Sequence, residues 1–180
     1  MFKPDDNNFE QSHFAAVLAL TKENLEKYRK EEKALSDELY TLLETYGAKD
    51  VEALSMIDNL QVMYERARHE ASRAERARQK PFFGRIDFVD DKHKSNDTIY
   101  IGKVGISRDV THLEVIDWRA PVANSYYESH IGEVTYSVPR EGDFVIDLKK
   151  KRTYEIKDDT LLSFLFWERY LFRSSSFATT

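Results

Sequence analysis

The sequence feature that most limits the fold is an uninterrupted helical pattern in residues 8–46, a stretch without glycine or proline. Positions alternately three and four residues apart carry mostly large apolar side chains, which is the a/d spacing of a coiled-coil seam. Only Thr21 and Glu32 interrupt this seam. We therefore predict one helix that is far longer than most helices of globular domains. The seam comprises Phe14, Val17, Thr21, Leu25, Tyr28, Glu32, Leu35, Leu39, Leu42 and Tyr46.

A second helix is predicted after a short turn. Gly47 fits the C-terminal stop of the first helix, and Asp50 fits the N-cap of the next. The second seam ends before Pro81, which cannot continue a helix, and its side chains shrink to alanine along the way. Small side chains let two helices approach closely, so the two seams predict a long antiparallel coiled-coil hairpin. The second seam comprises Ala53, Ile57, Leu60, Tyr64, Ala67, Ala71 and Ala74.

The charges of this predicted arm are separated along its length. Lys49 is the only base in residues 37–58, whereas arginine dominates residues 66–80. A solvated helix surface can gather charges in this way, but an acidic end also suits a basic channel or a bound cation, and both interpretations stay open. The acids of the turn end are Asp37, Glu38, Glu44, Asp50, Glu52 and Asp58; the basic end carries Arg66, Arg68, Arg73, Arg76, Arg78 and Lys80 beside Glu70 and Glu75.

After Pro81 the pattern changes to the period of two that is typical of strands. Short turn-forming sequences separate five such segments, which predicts successive antiparallel neighbours in a small curled sheet or open barrel. The predicted fold class is α+β: a coiled-coil arm in residues 1–80, a small antiparallel β-rich, barrel-like domain in 81–158, and an atypical C-terminal tail in 159–180. The five segments are residues 82–90, 98–106, 112–118, 132–138 and 143–157.

Two further segments need separate interpretation. The segment LLSFLFWERYLF, residues 161–172, is too short and too charged to span a membrane, and it is compatible with a final helix or with an apolar piece that rests on another domain. The bases of KKKR, residues 149–152, alternate between the two faces of a strand. We interpret them as a solvated edge that resists strand pairing rather than as a phosphate-binding patch.

Composition and motifs exclude several classes of protein. The net charge of −5 disfavours a general duplex-binding domain. Without cysteine there is no disulfide framework or thiolate zinc site, and no apolar run reaches the length of a spanning helix, so we expect a cytoplasmic protein with no membrane association. The segment IGKVG, residues 101–105, lacks the spacing of a phosphate loop. The five histidines are scattered as surface or turn histidines are, and no catalytic or metal-binding residue is predicted.

The stretch EVIDWRAPVANSYYE, residues 114–128, places an acid, a tryptophan and a base together. Asp117 and Arg119 lie two apart and would share one side of a strand, with Trp118 on the other. This arrangement predicts an ion pair over a buried indole, closed by Pro121. No histidine, serine or cysteine adjoins the Asp117–Arg119 pair as a nucleophile or base, so we interpret the stretch as structural.

Several short motifs, taken in order, resemble the N-terminal region of HelD-type proteins, which are UvrD-like superfamily-one helicase relatives. The motifs are PFFGRIDF (81–88), YIGK (100–103), DWRAPVANSYYE (117–128), Gly132 and KRTYEI (151–156), and the resemblance covers roughly residues 10–158. It indicates a family signature with a mainly structural role at Gly84, Arg85, Asp87, Gly102, Lys103, Asp117, Trp118, Arg119 and Pro121.

The resemblance also implies a function. In such a family an N-terminal coiled-coil arm enters the secondary channel of core RNA polymerase, and downstream ATPase domains help to recycle polymerase from nucleic acid. ATP and magnesium then belong to those motor domains, and this chain, which lacks a phosphate loop and helicase motifs, is expected to bind no cofactor and to hydrolyse no ATP. Glu44, Asp50 and Glu52 become candidates for contact with the channel, whose far end holds a catalytic magnesium.

Two alternatives stay open from the residues. The chain could be a nucleic-acid-binding accessory domain of a DNA helicase that uses its arginines, in which case DNA binding should depend steeply on salt. It could instead be a coiled-coil module that self-associates, because a two-helix seam can recruit a second hairpin. The arginines concerned are Arg66, Arg68, Arg73, Arg76 and Arg78.

Overall fold

The computed structural model describes residues 3, 6–46, 51–90, 94–109, 111–128, 130–168 and 171–176, and for residues 51, 52, 166, 168 and 171–176 it describes the backbone alone. The chain is α+β, as the sequence predicts, because two long helices precede a mostly antiparallel sheet. It divides into two compact units. We name Leu20–Glu75 the helical unit, and Met1–Ala19 together with Arg76–Thr180 the sheet unit. The boundaries predicted at residues 80 and 158 stay predictions.

Helix α1 spans Asn7–Tyr46 and helix α2 spans Val51–Gln79, which confirms the two predicted long helices. α1 begins just after Asp6, whose Oδ1 accepts a hydrogen bond of 2.7 Å from the backbone amide of Phe9. That contact satisfies one of the amides that a helix start leaves without an intrahelical acceptor. α2 ends two residues before Pro81, as the proline predicts.

The predicted apolar stripes are buried along most of their length. The last position of the first stripe is an exception, since Tyr46 is 52% exposed. Within the helical unit, Arg29 Nη2 lies 2.8 Å from Glu75 Oε2, an exposed ion pair between the two helices that contributes little stability. Supercoiled packing of the two helices stays a prediction. The buried positions of the helical unit include Leu25, Leu35, Ala53, Ile57, Ala67, Ala71 and Ala74.

The sheet unit holds an eight-stranded sheet with the order β3-β4-β2-β1-β6-β7-β8, and β5 pairs with β6 beside that path. Its strands run outward from a centre formed by β1, β2 and β6. A short turn of 3₁₀ helix, Pro121–Ala123, and helix α3, Asn124–Tyr127, follow β4. The strands are β1 Gly84–Asp90, β2 Ser95–Gly102, β3 Ile106–Ser107, β4 Leu113–Asp117, β5 Gly132–Val138, β6 Gly142–Lys157, β7 Thr160–Glu168 and β8 Leu171–Ser176.

Strand β6 organises the sheet because it is long enough to pair with three neighbours. β1 lies along one edge of β6, and β5 and β7 follow each other along the opposite edge, β5 on residues 142–148 and β7 on residues 150–157. The interpretation of residues 149–152 as a solvated edge is therefore wrong. Their backbone lies in the interior of the sheet, and Arg152 is buried.

The predicted order of strands also needs correction. The sequence predicted successive antiparallel neighbours, but β2 pairs with β4 in parallel, and β1 pairs with both β2 and β6. The sheet is open, since the described strands include no pairing between β3 and β8. The final-helix alternative for residues 161–172 is wrong as well: β7 forms there, with Leu161 and Phe164 buried.

Both faces of the central strands are covered, which is why β1 is buried for most of its length. One face carries an apolar core that packs against the 3₁₀ turn and α3. The other face carries polar and aromatic side chains that meet the first turns of α1. The apolar core consists of Ile86, Phe88, Ile101, Ala123, Val134, Ile146 and Leu148.

Two glycines of the predicted signature are required by close packing. A Cβ atom on Gly102 would lie 2.5 Å from the carbonyl oxygen of Pro81 and 2.9 Å from Val115 Cγ1. A Cβ atom on Gly84 would lie 2.7 Å from Cε2 of Tyr126. These positions let the chain before β1 and the α3 aromatic ring approach the sheet, so their role is structural.

Candidate functional site

Four charged side chains of the described chain are buried, and all four meet on the α1-facing side of the sheet. They are Glu10 on α1, Arg85 and Asp87 on β1, and Arg152 on β6. Strand register explains the gathering, because Arg85 lies opposite both Tyr100 of β2 and Arg152 of β6. We name these four residues the ionic cluster.

Arg85 joins the cluster to the start of the chain. Its Nη1 donates to Glu10 Oε1 at 2.6 Å, and its Nε donates to Asp87 Oδ1 at 2.9 Å. Its Nη2 donates to the carbonyl oxygen of Lys3 at 2.8 Å. A planar guanidinium is suited to three partners in fixed directions, which a lysine could not match.

The Glu10 carboxylate contacts Arg85 of β1 and the hydroxyls of two tyrosines. Its Oε2 accepts hydrogen bonds from the hydroxyls of Tyr154 at 2.8 Å and Tyr100 at 3.1 Å. With Arg85 on Oε1, both oxygens of a fully buried carboxylate are satisfied. Glu10 thereby fixes the first turns of α1 to the sheet.

Asp87 completes the network on the other side. Its Oδ1 accepts a hydrogen bond of 2.8 Å from Thr98 Oγ1, and its Oδ2 lies 3.0 Å from Arg152 Nη1. Two carboxylates therefore face two guanidinium groups. Formal charge balances within the cluster, which is the condition under which buried charges are tolerated.

Burial and neighbouring charges together set the pKa values of these groups. Burial raises the pKa of the Glu10 and Asp87 carboxyls, and the Arg85 charge opposes the increase in each. Burial, and then the Glu10 charge, raise the pKa of the Tyr100 and Tyr154 phenols, so both phenols stay neutral donors. For Arg85 burial favours loss of the proton, but neighbouring acidic groups, among them the Asp87 and Glu10 carboxylates, outweigh it and raise the pKa.

The cluster is built for attachment rather than for chemistry. Both oxygens of each carboxylate already accept hydrogen bonds from guanidinium or hydroxyl groups, so neither is poised as a base. Among the described residues no three histidine, aspartate or glutamate side chains are grouped as a metal site. What the arrangement does is fasten the N-terminal turns of a long helix to three strands.

His13 lies beside this cluster, among aromatic rings. Its imidazole stacks on Tyr100 with ring centroids 4.0 Å apart and on Phe9 at 6.0 Å. Burial, together with the charges of Lys3 and Arg85, lowers the pKa of His13 to about 3. The interpretation of His13 as a surface or turn histidine is wrong, because α1 places it against the sheet.

The turn after β4 holds the predicted Asp117–Arg119 ion pair. Arg119 Nη2 lies 2.7 Å from Asp117 Oδ2, and Arg119 Nε lies 2.9 Å from Asp117 Oδ1. The expected buried indole is wrong, since Trp118 is 46% exposed. β4 ends at Asp117, so Trp118 and Arg119 lie in a turn and do not follow strand alternation. Pro121 begins the 3₁₀ turn, and Lys103 is exposed.

The candidate carboxylates of the helical unit are only partly described. Glu44 lies on the last turns of α1, is exposed, and accepts a hydrogen bond of 2.7 Å from the Tyr40 hydroxyl. Asp50 lies outside the described residues. Glu52 belongs to α2, but its side chain lies outside the described part.

The five candidate arginines do not form one free basic stripe. Arg73 Nη1 lies 3.5 Å from Glu70 Oε1, and Arg78 Nη1 lies 3.1 Å from Asp159 Oδ2. Arg66, Arg68 and Arg76 are exposed. Arg66, Arg68 and Arg73 belong to the helical unit, whereas Arg76 and Arg78 belong to the sheet unit.

Sequence reasoning missed half of the ionic cluster and its two phenols. Arg85 and Asp87 could be placed on one face of a strand from their spacing of two. Glu10 and Arg152 carried no such signal, because their partners lie 75 and 65 residues away in the chain. The tyrosines Tyr100 and Tyr154 looked like ordinary strand residues until the register placed them beside Glu10.

The fold and the cluster define an α+β domain, in which the signature motifs pack a sheet and secure a long helix. The family profile described as "DNA helicase IV HelD, N-terminal domain" matches residues 8–169. The chain therefore belongs to the family of HelD N-terminal domains. The match extends beyond the predicted limit of residue 158 and includes strand β7.

Other comparisons add little. No curated protein matches the chain significantly. The solved structure of the transcription factor Gfh1 is similar over 74% of this chain and 91% of that chain, at 13% sequence identity and a TM-score of 0.32. Within the described ranges, no helix combines the length and the apolarity that crossing a bilayer requires.

Proposed function

We propose that this chain is the RNA polymerase-binding part of a HelD-type helicase, and that its helical unit enters the secondary channel of the polymerase. On this proposal the helical unit acts by insertion, and the ATPase motor of the full protein supplies the energy for recycling. Family membership supports a helicase-associated role. The surface of the helical unit supports the choice of partner.

The observation that carries the proposal is the charge of the helical unit at the end of α1 and the start of α2. Residues 34–46 and 51–65 contain six acids and neither lysine nor arginine. Such a surface repels nucleic acid and attracts a positively charged protein surface. The acids are Asp37, Glu38, Glu44, Glu52, Asp58 and Glu65.

The length of the helices fits insertion as well. The part of α1 inside the helical unit runs from Leu20 to Tyr46. At 1.5 Å per residue this part is about 40 Å long, which is comparable to the diameter of a small domain. A rigid element of that length can reach into a channel that a compact domain could not enter.

The first test is capture of bacterial core RNA polymerase by the full chain and by a form without residues 37–58. We expect the full chain to bind and the shortened form to bind at least about tenfold more weakly. Circular dichroism of the shortened form checks that its remaining helices and sheet are folded. Equal binding by the two folded forms would contradict insertion through the acidic end.

A second test asks whether the carboxylates act inside the polymerase. Alanine at Glu44, Asp50 and Glu52 should change RNA synthesis or RNA cleavage by the bound polymerase if these groups approach its magnesium. The matched control replaces Glu133 and Glu141, exposed carboxylates of the sheet unit, with alanine. Unchanged polymerase activity with the first variant would exclude a role for these acids at the metal.

The alternatives make different predictions for the same chain. A nucleic-acid accessory domain should bind DNA with a steep salt dependence. A self-associating module should show concentration-dependent sedimentation. Insertion predicts a monomer that binds polymerase without DNA.

A further inference from the structure

The exposed large apolar side chains of this protein are concentrated in one part of the helical unit. Twelve such side chains are exposed in the described chain, and seven of them lie between residues 40 and 63. Isolated exposed apolar side chains are normal on a protein surface, but here more than half of them lie in one short part of the chain. The seven are Tyr40, Leu43, Tyr46, Leu54, Met56, Val62 and Met63.

Most of these side chains lie outside the helix stripes that form the core. Tyr40 and Leu43 are three residues apart on α1 and are 63% and 49% exposed. Met56 and Met63 are seven apart on α2, hence on one face of that helix, and are 55% and 52% exposed. Packing between the two helices therefore does not account for them.

Val62 is the most exposed of the set, at 71%. Together with Asp58, Gln61 and Glu65 it borders a shallow, open depression on the surface of α2. An apolar side chain between two carboxylates fits a lysine or arginine, which has an aliphatic stem and a charged end.

The surrounding charge selects the kind of partner. Because residues 34–46 and 51–65 carry acids and no bases, nucleic acid and an anionic membrane would be repelled. A second copy would bring the same acids face to face, which is also unfavourable. A positively charged protein surface with apolar side chains is the complementary partner.

We propose that the exposed apolar set, flanked by its acids, is a docking surface for a basic and partly apolar surface of RNA polymerase. This inference rests on the proposed function and adds that apolar contact, rather than carboxylate charge alone, determines how long the complex lasts. The methionines suit this role because their flexible side chains adapt to a partner surface. The acids speed and orient association.

The test measures association and dissociation of core RNA polymerase with the full chain at low and high salt. An apolar variant carries Leu43→Gln, Met56→Gln, Val62→Gln and Met63→Gln, since glutamine keeps size and helix propensity while removing apolar surface. Its matched control carries Leu113→Gln, Trp118→Gln, Tyr127→Gln and Val145→Gln, four exposed positions of the sheet unit. Helical content measured by circular dichroism must match that of the unchanged chain.

We expect the apolar variant to bind about tenfold more weakly at both salt concentrations, mainly through faster dissociation. The control should bind within about twofold of the unchanged chain. An acid variant with Asp37→Asn, Glu38→Gln, Asp58→Asn and Glu65→Gln should instead associate more slowly and lose salt dependence.

The outcomes separate this inference from the proposed function. If the unchanged chain binds and the apolar variant binds equally well, the docking surface is wrong and the proposed function stands. If the control weakens binding as much as the apolar variant, the effect is not specific to this surface and the inference is also wrong. If the unchanged chain does not bind polymerase, both fail.

Discussion

Arg85 and Arg119 illustrate how surroundings decide what an ion pair contributes. Each arginine contacts an aspartate two residues away at 2.9 Å or less. Arg85 is fully buried and also holds Glu10, whereas the Arg119 side chain is 66% exposed. Solvent screens the exposed Arg119 pair. Removing one member of the buried Arg85 pair would instead leave an unpaired charge in the interior.

Replacing Arg85 with methionine should therefore be severely destabilising. We expect the free energy of unfolding to fall by about 3–5 kcal/mol, since Glu10 and Asp87 lose a buried counter-charge. Urea unfolding followed by circular dichroism measures the change. Adding Glu10→Gln to Arg85→Met should recover part of the loss by removing one stranded charge.

Arg119→Met is the control for this prediction. It removes the same side-chain type from a pair of similar geometry at the surface, and we expect little change in stability. Equal losses for the two single variants would show that burial of the ionic cluster does not govern its contribution.

His13 should make the stability of the sheet unit sensitive to acid. Its pKa falls from 6.5 to about 3 on folding, so the folded state favours the neutral ring. That contribution is fully present above pH 6.5 and is lost as the pH falls towards 3. The steepest slope for one such group is about 1.4 kcal/mol per pH unit.

Comparison with His13→Phe isolates this effect. Glu10 and Asp87 act in the opposite sense, because their raised pKa values favour the protonated form in the folded state. The unchanged chain and the His13→Phe variant both carry those carboxyls. The difference in unfolding free energy between the two chains therefore reports His13. The difference should grow in favour of phenylalanine as the pH falls from 6.5 towards 3; a constant difference would contradict the lowered pKa.

At the scale of elements, β6 and the chain before β1 set the shape of the sheet. The backbone of Tyr154 donates to the carbonyl of Phe83 at 2.9 Å, and that of Phe83 donates to the carbonyl of Ile101 at 2.9 Å. Pro81 is held close to β2, where its carbonyl oxygen approaches Gly102. The exit from α2 and the start of the sheet are thus joined by backbone contacts that leave no room for a side chain.

Gly102→Ala should cost about 1–3 kcal/mol of unfolding free energy. The added methyl would meet a backbone carbonyl at 2.5 Å, and backbone cannot rotate away as a side chain can. Gly105→Ala, where the nearest atom lies at 3.6 Å, is the control and should change stability by less than about 1 kcal/mol. Thermal or urea unfolding measures both, and similar results for the two glycines would refute the packing argument.

At the scale of the whole molecule, charge distribution matters more than net charge. The net charge is −5, and residues 34–65 contain seven acids and a single base, Lys49. The arginines that could attract DNA are fewer than the sequence suggests, since Arg73 and Arg78 face Glu70 and Asp159.

We therefore expect weak DNA binding by the full chain at physiological salt. Fluorescence anisotropy with a labelled duplex at several salt concentrations measures it. The DNA-binding alternative would be favoured instead by two results together. These are an affinity in the micromolar range or tighter, and a steep salt dependence that Arg66→Gln, Arg68→Gln and Arg76→Gln abolish.

The sequence by itself determined the helices and most strands of this protein. A seam repeated over α1 and α2, without glycine or proline, leaves a helix as the only element that can bury those positions. Alternation placed β1, β4, β5 and β6 near their observed bounds. The order of the HelD motifs also identified the family before any contact was known.

Only the tertiary structure decided which strands pair and which charges are buried. Pairing of β1 with β6 and of β2 with β4 depends on contacts between residues far apart in sequence, which no local pattern encodes. Those pairings place Arg152 and Tyr154 beside Glu10, and they turn a basic run that looked like an exposed edge into the centre of the sheet. The fold determines which partners surround a charged side chain, and the neighbours of that residue in the sequence do not reveal those partners.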